Sequence, residues 1–579
     1  MKTDEDRALA AWFWRNVHYA HGQDGRMDLF DTGFEKTDWN REYWTGLFAH
    51  GFGLCGTTHA QWIPEMDALL GHCRSRSAGV KGHNAFEVFL KGGSYGEGRW
   101  VLLDHDLSTV IFDPEGKRML SIEEIRNGKP ELKNPDFKPE RQRGWRLAGL
   151  YQKDAEKVYD DYNSVAYLAG YAGPPPMIQL RSGELLRRYL QPGLADGKSF
   201  VFWGQNYNTD SVPGPERSRA WVNQPEKMFG AKRDAGHIDG QVRFANAVSI
   251  YKPRFEDGTY REGIVEESAN HVTFEFQTPY VIAATPPDDS AWGIYKPGGK
   301  NGLVISGKID GLAFEISTDR GNTWQRSNGP DLTDFAKGHQ QYWLKIGAGA
   351  KDLANRDLTI TTVCQANVAT IPQLREGKNQ ITVSNPGRAI VSAGPNLDQA
   401  MTHRIAGELK GPEITLKLGT PRGEKIVALH AASHNASGNP PPPDLAFAIE
   451  YSADNGASWK PIVTDWKVER RAPEPSPPDY WSQSFTYGSI DLESAIDGPV
   501  QVRFSNNRRK GYRRIEAHLE YEISNPTPVE VTFCWTQSGG FDFEFAKRRF
   551  PAKIDGENTA WEIEAGESVR TIWVEYRCP

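Results

Sequence analysis

The chain changes character at the proline run Pro174-Pro175-Pro176. Before this run, apolar residues follow both helical and strand-like spacings; after it, short alternating strands and turn signals succeed each other. With 579 residues the chain is too long for a single core, because a domain typically contains roughly 150 residues. The sequence therefore predicts a multidomain protein, with an α+β domain over residues 1–172 followed by all-β sandwich regions over 173–380 and 381–579.

The region before the prolines contains signals for two helices. The first is predicted near the N-terminus, where Leu9 and Trp12 stand on one face and three acidic residues precede them, a position in which negative charge stabilises a helix. The second is predicted to begin near Cys55, after a glycine-rich loop, and to end at Gly71. This arrangement places a cysteine at the start of a helix.

That cysteine, Cys55, is a candidate nucleophile. A cysteine reacts as its thiolate, so a catalytic cysteine needs a lowered pKa. The first turn of a helix favours the thiolate, because its unpaired backbone amides and its dipole stabilise an anion. The amide of Cys55 is also placed to donate to a developing oxyanion.

Two strand-like runs follow, over residues 84–90 and 99–103, and each borders a residue that a thiol enzyme needs. His83 stands before the first run and can hold a proton near pH 7. Asp104 follows the second run and can orient the imidazole. Antiparallel neighbours bring the start of one strand beside the end of the next, about 4.8 Å away. The sequence therefore predicts a triad of Cys55, His83 and Asp104.

Together these motifs resemble the transglutaminase-like superfamily, which includes protein transglutaminases, bacterial cysteine proteases and peptide:N-glycanases. The matching segments are HGFGLCG (50–56), GHNAFEV (82–88) and RWVLLD (99–104). The opening segment DEDRALAAWFWRNVHY is similar to the first helix of many bacterial members. The resemblance covers roughly residues 3–113 and implies a papain-like catalytic domain. It also implies attack of the cysteine on an amide to give a thioester, with the histidine as base and the aspartate as orienting acid.

Four further residues are candidates for supporting roles. His59 stands four residues after the cysteine and so shares its helical face, where simple packing is the favoured interpretation. Trp44 and His50 stand upstream and are candidates for the oxyanion site. Asp106 competes with Asp104 for the role of orienting acid; Asp104 is preferred because it directly follows the strand.

The five cysteines do not indicate a metal or disulfide framework. Their number is odd, their density is low and no CxxC pair occurs. A zinc site built from Cys55, His72, Cys73 and His83 is disfavoured, since an adjacent His-Cys pair rarely suits one tetrahedral centre. We therefore predict no metal site and no cofactor.

Two turns in the β region repeat the pattern S-x-D-x-G-x-[ST]-W, at residues 317–324 and 452–459. They look like Asp boxes, which are β-hairpin turns found in sialidases and many secreted sugar-handling proteins. In such a turn the aspartate accepts hydrogen bonds from turn amides, the glycine supplies a positive φ and the tryptophan packs beneath. We interpret both as structural turns rather than binding sites.

The charge and the apolar runs of the sequence limit the kinds of binding partner and the cellular compartment that we expect. The net charge is −7, from 68 basic and 75 acidic residues, which argues against nucleic acid and provides no polybasic anchor for a membrane. No apolar run approaches the roughly 18 residues of a membrane span, and the opening residues lack the apolar core of a secretory signal. We expect a cytoplasmic protein if the chain is complete, or an extracytoplasmic one if an export signal has been removed.

Three functions are compatible with these features. The leading hypothesis is a thiol-dependent hydrolase or acyltransferase acting on amide bonds of a protein or peptide. An alternative changes the substrate to a glycan or glycoconjugate, as in a peptide:N-glycanase-like amidase or a polysaccharide-cleaving enzyme; the Asp boxes and the tryptophan-rich β regions motivate it. The third is a glycan-binding or adhesion protein with a relic triad. The oligomeric state and the direction of the reaction stay open.

Overall fold

A computed structural model of the chain describes a large part of it. The described residues are 2–18, 20–21, 52–53, 59, 62–63, 65–66, 69–71, 75–105, 109–113, 115–128, 159–162, 164–166, 180–190, 244–278, 281–285, 297–339, 341–384, 387–389, 402–409, 411–420, 423–436, 446–467, 483–507, 512–523, 528–538, 544–552 and 558–579. Within these ranges, no helix combines the length and the apolar character that a membrane crossing needs.

The N-terminal region combines helices with a four-stranded sheet. Its elements are α1 (Asp4–His18), β1 (Ala20–His21), β2 (Phe52–Gly53), β3 (Ser75–Val80), β4 (His83–Leu90), a 3-10 turn (Gly93–Tyr95), β5 (Arg99–Leu102), α2 (Ile122–Asn127) and β6 (Ser164–Ala166). Strands β5, β4, β3 and β6 form an antiparallel sheet in that order, and β1 pairs with β2 in parallel.

Both helices begin at side chains that cap them. The hydroxyl of Thr3 accepts from the amide of Asp6 at 3.1 Å, and the Asp6 carboxylate accepts from the amide of Thr3 at 3.2 Å. In α2, Ser121 and Glu124 form the same reciprocal arrangement, which is a capping box. The helix predicted near the N-terminus is confirmed.

The sheet is covered on both faces. One face packs against α1 and residues 62, 63, 66 and 70. Its core comprises Ala8, Leu9, Trp12, Trp62, Ile63, Met66, Leu70, Phe86, Val88, Leu90, Tyr95, Val101, Leu103, Val110, Phe112 and Met119, joined by Ala432. The other face packs against α2; its core comprises Ala78, Val80, Ala85, Phe89, Trp100, Leu102, Ile111, Leu120, Ile122, Ile125, Tyr159 and Tyr162. Adjacent residues of β4 point to opposite cores, as the pleat requires.

The regular elements in the rest of the described chain are strands and short helical turns. Its first half contains β7 (Glu184–Tyr189), β8 (Phe244–Tyr251), a 3-10 turn (Thr259–Gly263), β9 (Ile264–Glu267), β10 (Val272–Gln277), β11 (Leu303–Ser306), β12 (Phe314–Ser317), β13 (Gln325–Ser327), α3 (Thr333–Ala336), β14 (Gln341–Ile346), α4 (Ala350–Leu353), β15 (Thr359–Asn367), a 3-10 turn (Val368–Thr370) and β16 (Gly377–Ser384).

Among the described residues of the second half, the regular elements are all strands. They are β17 (Arg388–Ala389), β18 (Thr402–Leu409), β19 (Glu413–Leu418), β20 (Ile426–Ala436), β21 (Ala446–Ser452), β22 (Lys460–Lys467), β23 (Gln483–Ile496), β24 (Val500–Asn506), β25 (Tyr512–Glu522), β26 (Val529–Gln537), β27 (Glu544–Ala552), β28 (Asn558–Ala565) and β29 (Arg570–Arg577).

These strands form layered antiparallel sheets. A seven-stranded sheet has the order β11-β15-β8-β7-β29-β26-β27, and a five-stranded sheet has the order β13-β12-β14-β10-β9. A shared core joins them, with residues from β8, β11 and β15 on one side and β10, β12 and β14 on the other. A separate core lies between the sheet of β25, β20 and β23 and the sheet of β19, β24, β21 and β22. The described part of the chain is thus mostly β-sheet, consistent with the predicted β-sandwich domains.

The division at residues 172 and 380 stays a prediction. The seven-stranded sheet contains strands from both sides of residue 380, because β29 pairs with β7 in antiparallel register, with Trp573 opposite Tyr189. Strand β16 likewise pairs with β28 along its length. The last strands of the chain therefore complete a sheet that β7 and β8 begin.

Candidate functional site

The start of β4 and the end of β5 bring a histidine and an aspartate together. His83 is the first residue of β4, and Asp104 stands two residues beyond β5. Nε2 of His83 donates to Oδ2 of Asp104 at 2.7 Å. The carboxylate is fully buried and the His83 side chain is 8% exposed, so water screens this pair weakly.

One local and two distant contacts hold the aspartate in place. Its backbone amide donates to the carbonyl of Thr109, and the amide of Thr109 donates back. The indole Nε1 of Trp12, on α1, donates to the backbone carbonyl of Asp104 at 3.1 Å. The hydroxyl of Tyr159 donates to Oδ2 at 3.0 Å. The carboxylate thus accepts hydrogen bonds from two side chains far apart in the sequence, which fixes its orientation.

A second histidine faces the same carboxylate. His59 is fully buried, and its Nε2 lies 3.5 Å from Oδ1 of Asp104. Its other ring nitrogen, Nδ1, donates to the carbonyl oxygen of Asn84 at 2.5 Å. The His59 ring also contacts the rings of His83 and His105, with centroids 5.8 and 4.5 Å apart. His59, predicted as a supporting residue, therefore stands directly at the His83–Asp104 pair.

The other predicted site residues fall outside the described part of the chain. These are Cys55, Trp44, His50 and Asp106, and the same holds for His72 and Cys73. Of the two aspartates weighed for the orienting role, only Asp104 lies among the described residues, and it contacts His83.

Two contributors to this site carry no signal in the sequence. Trp12 belongs to the apolar stripe of α1, and nothing in the sequence distinguishes its indole donor. Tyr159 lies in the segment KVYDDYNS, which carries no motif, and its contact with Asp104 spans 55 residues. Neither could have been found without the tertiary arrangement.

The same three side chains are suitable donors for a metal ion. The ligand atoms of His59, His83 and Asp104 all lie within 4.8 Å of one another, and they are the one such group of three or more donors within the described ranges. His83 begins β4, Asp104 follows β5, and His59 packs beside them. The arrangement can therefore support acid–base chemistry or metal binding. The two would compete, because they use the same side chains.

The two Asp-box-like turns use their aspartates locally. Oδ1 of Asp319 accepts from the amide of Thr323 at 2.8 Å and from the hydroxyl of Ser317 at 2.7 Å, and Oδ2 accepts from the Thr323 hydroxyl at 2.6 Å. Asp454 makes the same bonds to Ser452 and Ser458. These contacts match the structural interpretation of both turns.

The glycine and tryptophan of each turn also have local roles. Gly321 and Gly456 have φ values of 80° and 90°, a conformation that favours glycine. A Cβ at Gly321 would lie 2.8 Å from the ring of Trp343. Nζ of Lys345 sits 4.0 Å from the ring centre of Trp324, and the Arg503 guanidinium lies at the same distance from Trp459. Each turn is thereby fastened to its neighbouring strand by a cation–π contact.

Hydrogen bonding changes the acidity of the turn aspartates. Bonds from the hydroxyl and amide of Ser458 lower the pKa of Asp454 to about 2. Burial acts to raise the pKa of Asp319, but the hydrogen bonds from Thr323 and Ser317 outweigh it and the pKa is lowered overall. Both carboxylates are therefore ionised at neutral pH, and their oxygens accept hydrogen bonds within their own turns.

A second buried histidine–carboxylate pair lies on the sheet that contains β20. Nε2 of His430 donates to Oε1 of Glu520 at 2.6 Å, and the hydroxyl of Ser489 lies 2.7 Å from Nδ1. His430 and Glu520 are each about 5% exposed, whereas Ser489 is exposed. The pair sits in the middle of a strand ladder, because His430 is opposite His518 on β25 and Ser489 on β23.

Comparison with known protein families and with curated proteins found no match to this chain.

Proposed function

We propose that this chain is a thiol-dependent hydrolase or acyltransferase that acts on amide bonds, with Cys55 as nucleophile, His83 as general base and Asp104 as the orienting acid. The observation that carries the proposal is the 2.7 Å hydrogen bond between His83 and Asp104. These are the two residues that the sequence motifs single out, at the strand ends where the motifs put them. The place of Cys55 in the triad rests on the sequence motif.

The hydrogen bond determines which ring nitrogen would serve the thiol. Because Nε2 of His83 donates to Asp104, Nδ1 is the nitrogen that takes the thiol proton. The resulting imidazolium is stabilised by the buried carboxylate beside it. The thiolate attacks the amide carbon, and His83 returns the proton to the leaving amine. Water or an acceptor amine then attacks the thioester, with His83 again taking the proton.

The same geometry supports a transglutaminase-like, papain-like assignment for the N-terminal domain. A helix, α1, packs on an antiparallel sheet and donates a hydrogen bond to the backbone of Asp104. The histidine begins one strand and the aspartate follows the next, as the resemblance implies. An α+β catalytic domain preceding β-sandwich regions is thus part of the proposal.

A protein or peptide amide is the preferred substrate class. The glycan alternative was motivated by the two Asp boxes, but both aspartates use their oxygens within their own turns. Their tryptophans are engaged by Lys345 and Arg503. Neither turn therefore adds support for sugar recognition.

The test is the rate of iodoacetamide labelling at each cysteine against pH, read by peptide mass spectrometry. Cys364, Cys534 and Cys578 serve as internal references, since all three are buried. Burial raises the pKa of Cys364 to about 12, which keeps it a neutral thiol. We expect Cys55 to label at least about 100-fold faster than these references near pH 6, because a paired thiolate persists below the ordinary thiol pKa of about 8.5.

Two histidine variants make the test specific. His83→Ala should lower the labelling rate of Cys55 to that of the reference cysteines. The control is His271, which lies in the turn between β9 and β10; His271→Ala should leave the labelling rate of Cys55 unchanged. Slow labelling of Cys55 with the pH profile of an ordinary thiol would reject the nucleophile. If the fast rate is found, Cys55→Ala should then abolish turnover of peptide amides while leaving their binding intact.

A further inference from the structure

We propose that His59, His83 and Asp104 form a binding site for a divalent transition-metal ion of the Zn²⁺ class. Their donor atoms lie within 4.8 Å of one another. A tetrahedral zinc site, with bonds of about 2.0–2.2 Å, requires ligand atoms about 3.3 Å apart. Nε2 of His83 lies 2.7 Å from Oδ2 of Asp104, and Nε2 of His59 lies 3.5 Å from the other carboxylate oxygen, Oδ1. A rotation of the carboxylate and an approach of the two rings would bring one oxygen and both nitrogens to the spacing of three ligands out of four.

The hydrogen bond from Nδ1 of His59 to Asn84 leaves Nε2 as the nitrogen that can bind a cation. The carbonyl oxygen of Asn84 can only accept, so Nδ1 of His59 carries a hydrogen. In the neutral imidazole, Nε2 then has a lone pair, and this atom lies 3.5 Å from a carboxylate oxygen. Two electron-rich atoms at this distance repel each other unless a positive charge lies between them. A metal ion bound between the two atoms supplies that charge. Protonation of Nε2 would also remove the repulsion, and it therefore competes with metal binding.

The surroundings match those of metal ligands in proteins. A metal-bound histidine usually donates its second ring nitrogen to a carbonyl or carboxylate, as His59 does to Asn84. The coordinating carboxylate is usually hydrogen-bonded as well, and Asp104 accepts from Tyr159. Two imidazoles and one carboxylate favour Zn²⁺, Co²⁺ or Ni²⁺ over Ca²⁺ and Mg²⁺, which prefer oxygen ligands.

The metal and the base reaction would compete for one nitrogen. A metal on Nε2 of His83 replaces the hydrogen bond to Asp104 and leaves the hydrogen of that ring on Nδ1. That nitrogen can then no longer accept the proton of a thiol. Zinc would thus hold the site in an inactive form; this consequence rests on the proposed function, whereas the metal site itself does not.

The experiment is titration of the metal-free full-length chain with Co²⁺, followed by its visible absorption and by calorimetry. We expect one ion per chain in the wild type and the same affinity in Cys55→Ser. We expect affinity at least tenfold weaker in His59→Gln and in Asp104→Asn, and unchanged in His271→Gln. Circular dichroism checks that each variant is folded.

A measurement on the wild type alone keeps the proposal falsifiable if a variant does not fold. Zinc-edge X-ray absorption should give nitrogen and oxygen neighbours without sulfur. A sulfur neighbour, or loss of the ion in Cys55→Ser, overturns the proposal in favour of a thiolate site. Absence of stoichiometric binding, or full affinity in a folded His59→Gln, also overturns it. Because Cys55→Ser lacks the thiol, these outcomes are independent of whether the thiol chemistry is correct.

Discussion

Asp104 in the N-terminal domain and Asp454 in the second Asp-box turn both follow a strand, yet their partners differ in kind. Asp104 is fully buried and accepts from His83 and Tyr159, which are 21 and 55 residues away. Asp454 is exposed and accepts from Ser452 and Ser458, at most four residues away. The first carboxylate is held by the tertiary fold and faces titratable groups. In the second carboxylate, both oxygens accept hydrogen bonds from residues of its own turn.

The difference gives a criterion for separating sites from turns. A local set of donors stabilises one loop conformation and leaves the carboxylate no capacity for chemistry. A set of donors from distant elements fixes a carboxylate in a buried position, where it acts strongly on its neighbours. The following four changes test this criterion, from the largest expected effect to the smallest.

Asp104→Asn should have the largest effect. The asparagine keeps the shape but removes the charge that stabilises a protonated His83, so we expect the labelling rate of Cys55 near pH 6 to fall by at least about 100-fold. The loss of a charge-assisted hydrogen bond should also destabilise the domain by about 2 kcal/mol. Asp454→Asn is the matched control and should leave the labelling rate unchanged. Equal labelling in both variants would break the comparison.

Glu520→Gln tests whether distant partners alone suffice to make a site. Glu520 and His430 are 90 residues apart and buried, as the criterion requires, but the pair lies within a strand ladder rather than at strand ends. We expect a loss of about 1–2 kcal/mol in stability, because the charge-assisted bond becomes a neutral one. The labelling rate of Cys55 should stay within twofold of wild type. A loss as large as that of Asp104→Asn would show that the two pairs are coupled.

Tyr159→Phe removes one donor from Asp104 and keeps the ring in its core. We expect the N-terminal domain to lose about 1 kcal/mol, the usual contribution of a single hydrogen bond. Hydrogen exchange of peptides from β4 and β5 measures this, since unfolding of a multidomain chain need not be two-state. The labelling rate of Cys55 should fall by less than tenfold, because His83 still donates to the carboxylate. A larger loss would make Tyr159 a principal determinant of the site.

The sequence predicted the local parts of this molecule and missed the distant ones. The N-terminal helix, the strand-rich character of the chain after the prolines and the two turns follow from spacing and turn chemistry, and the described residues confirm them. The pairing of β29 with β7 was not predictable, because nothing in either strand encodes a partner nearly 400 positions away. His83 and Asp104 could be predicted together because they border consecutive strands, 21 residues apart. The contact of Tyr159 with Asp104 and the His430–Glu520 pair join residues 55 and 90 positions apart, and the sequence gives no signal for either.

The smallest effect is expected in the turn, and it is a dependence on pH. The pKa of Asp454 is lowered to about 2 by Ser458, against an ordinary value of about 3.9. A carboxyl with a lowered pKa in the folded state stabilises that state fully above its ordinary pKa, and this contribution is lost as the pH falls towards 2. The thermal midpoint of wild type should therefore exceed that of Asp454→Asn by a constant amount between pH 5 and 6, and the gap should shrink progressively below pH 4. A gap that persists at pH 3 would mean that the turn depends on the shape of the side chain rather than on its charge. The contrast with Asp104 would then have to rest on burial alone.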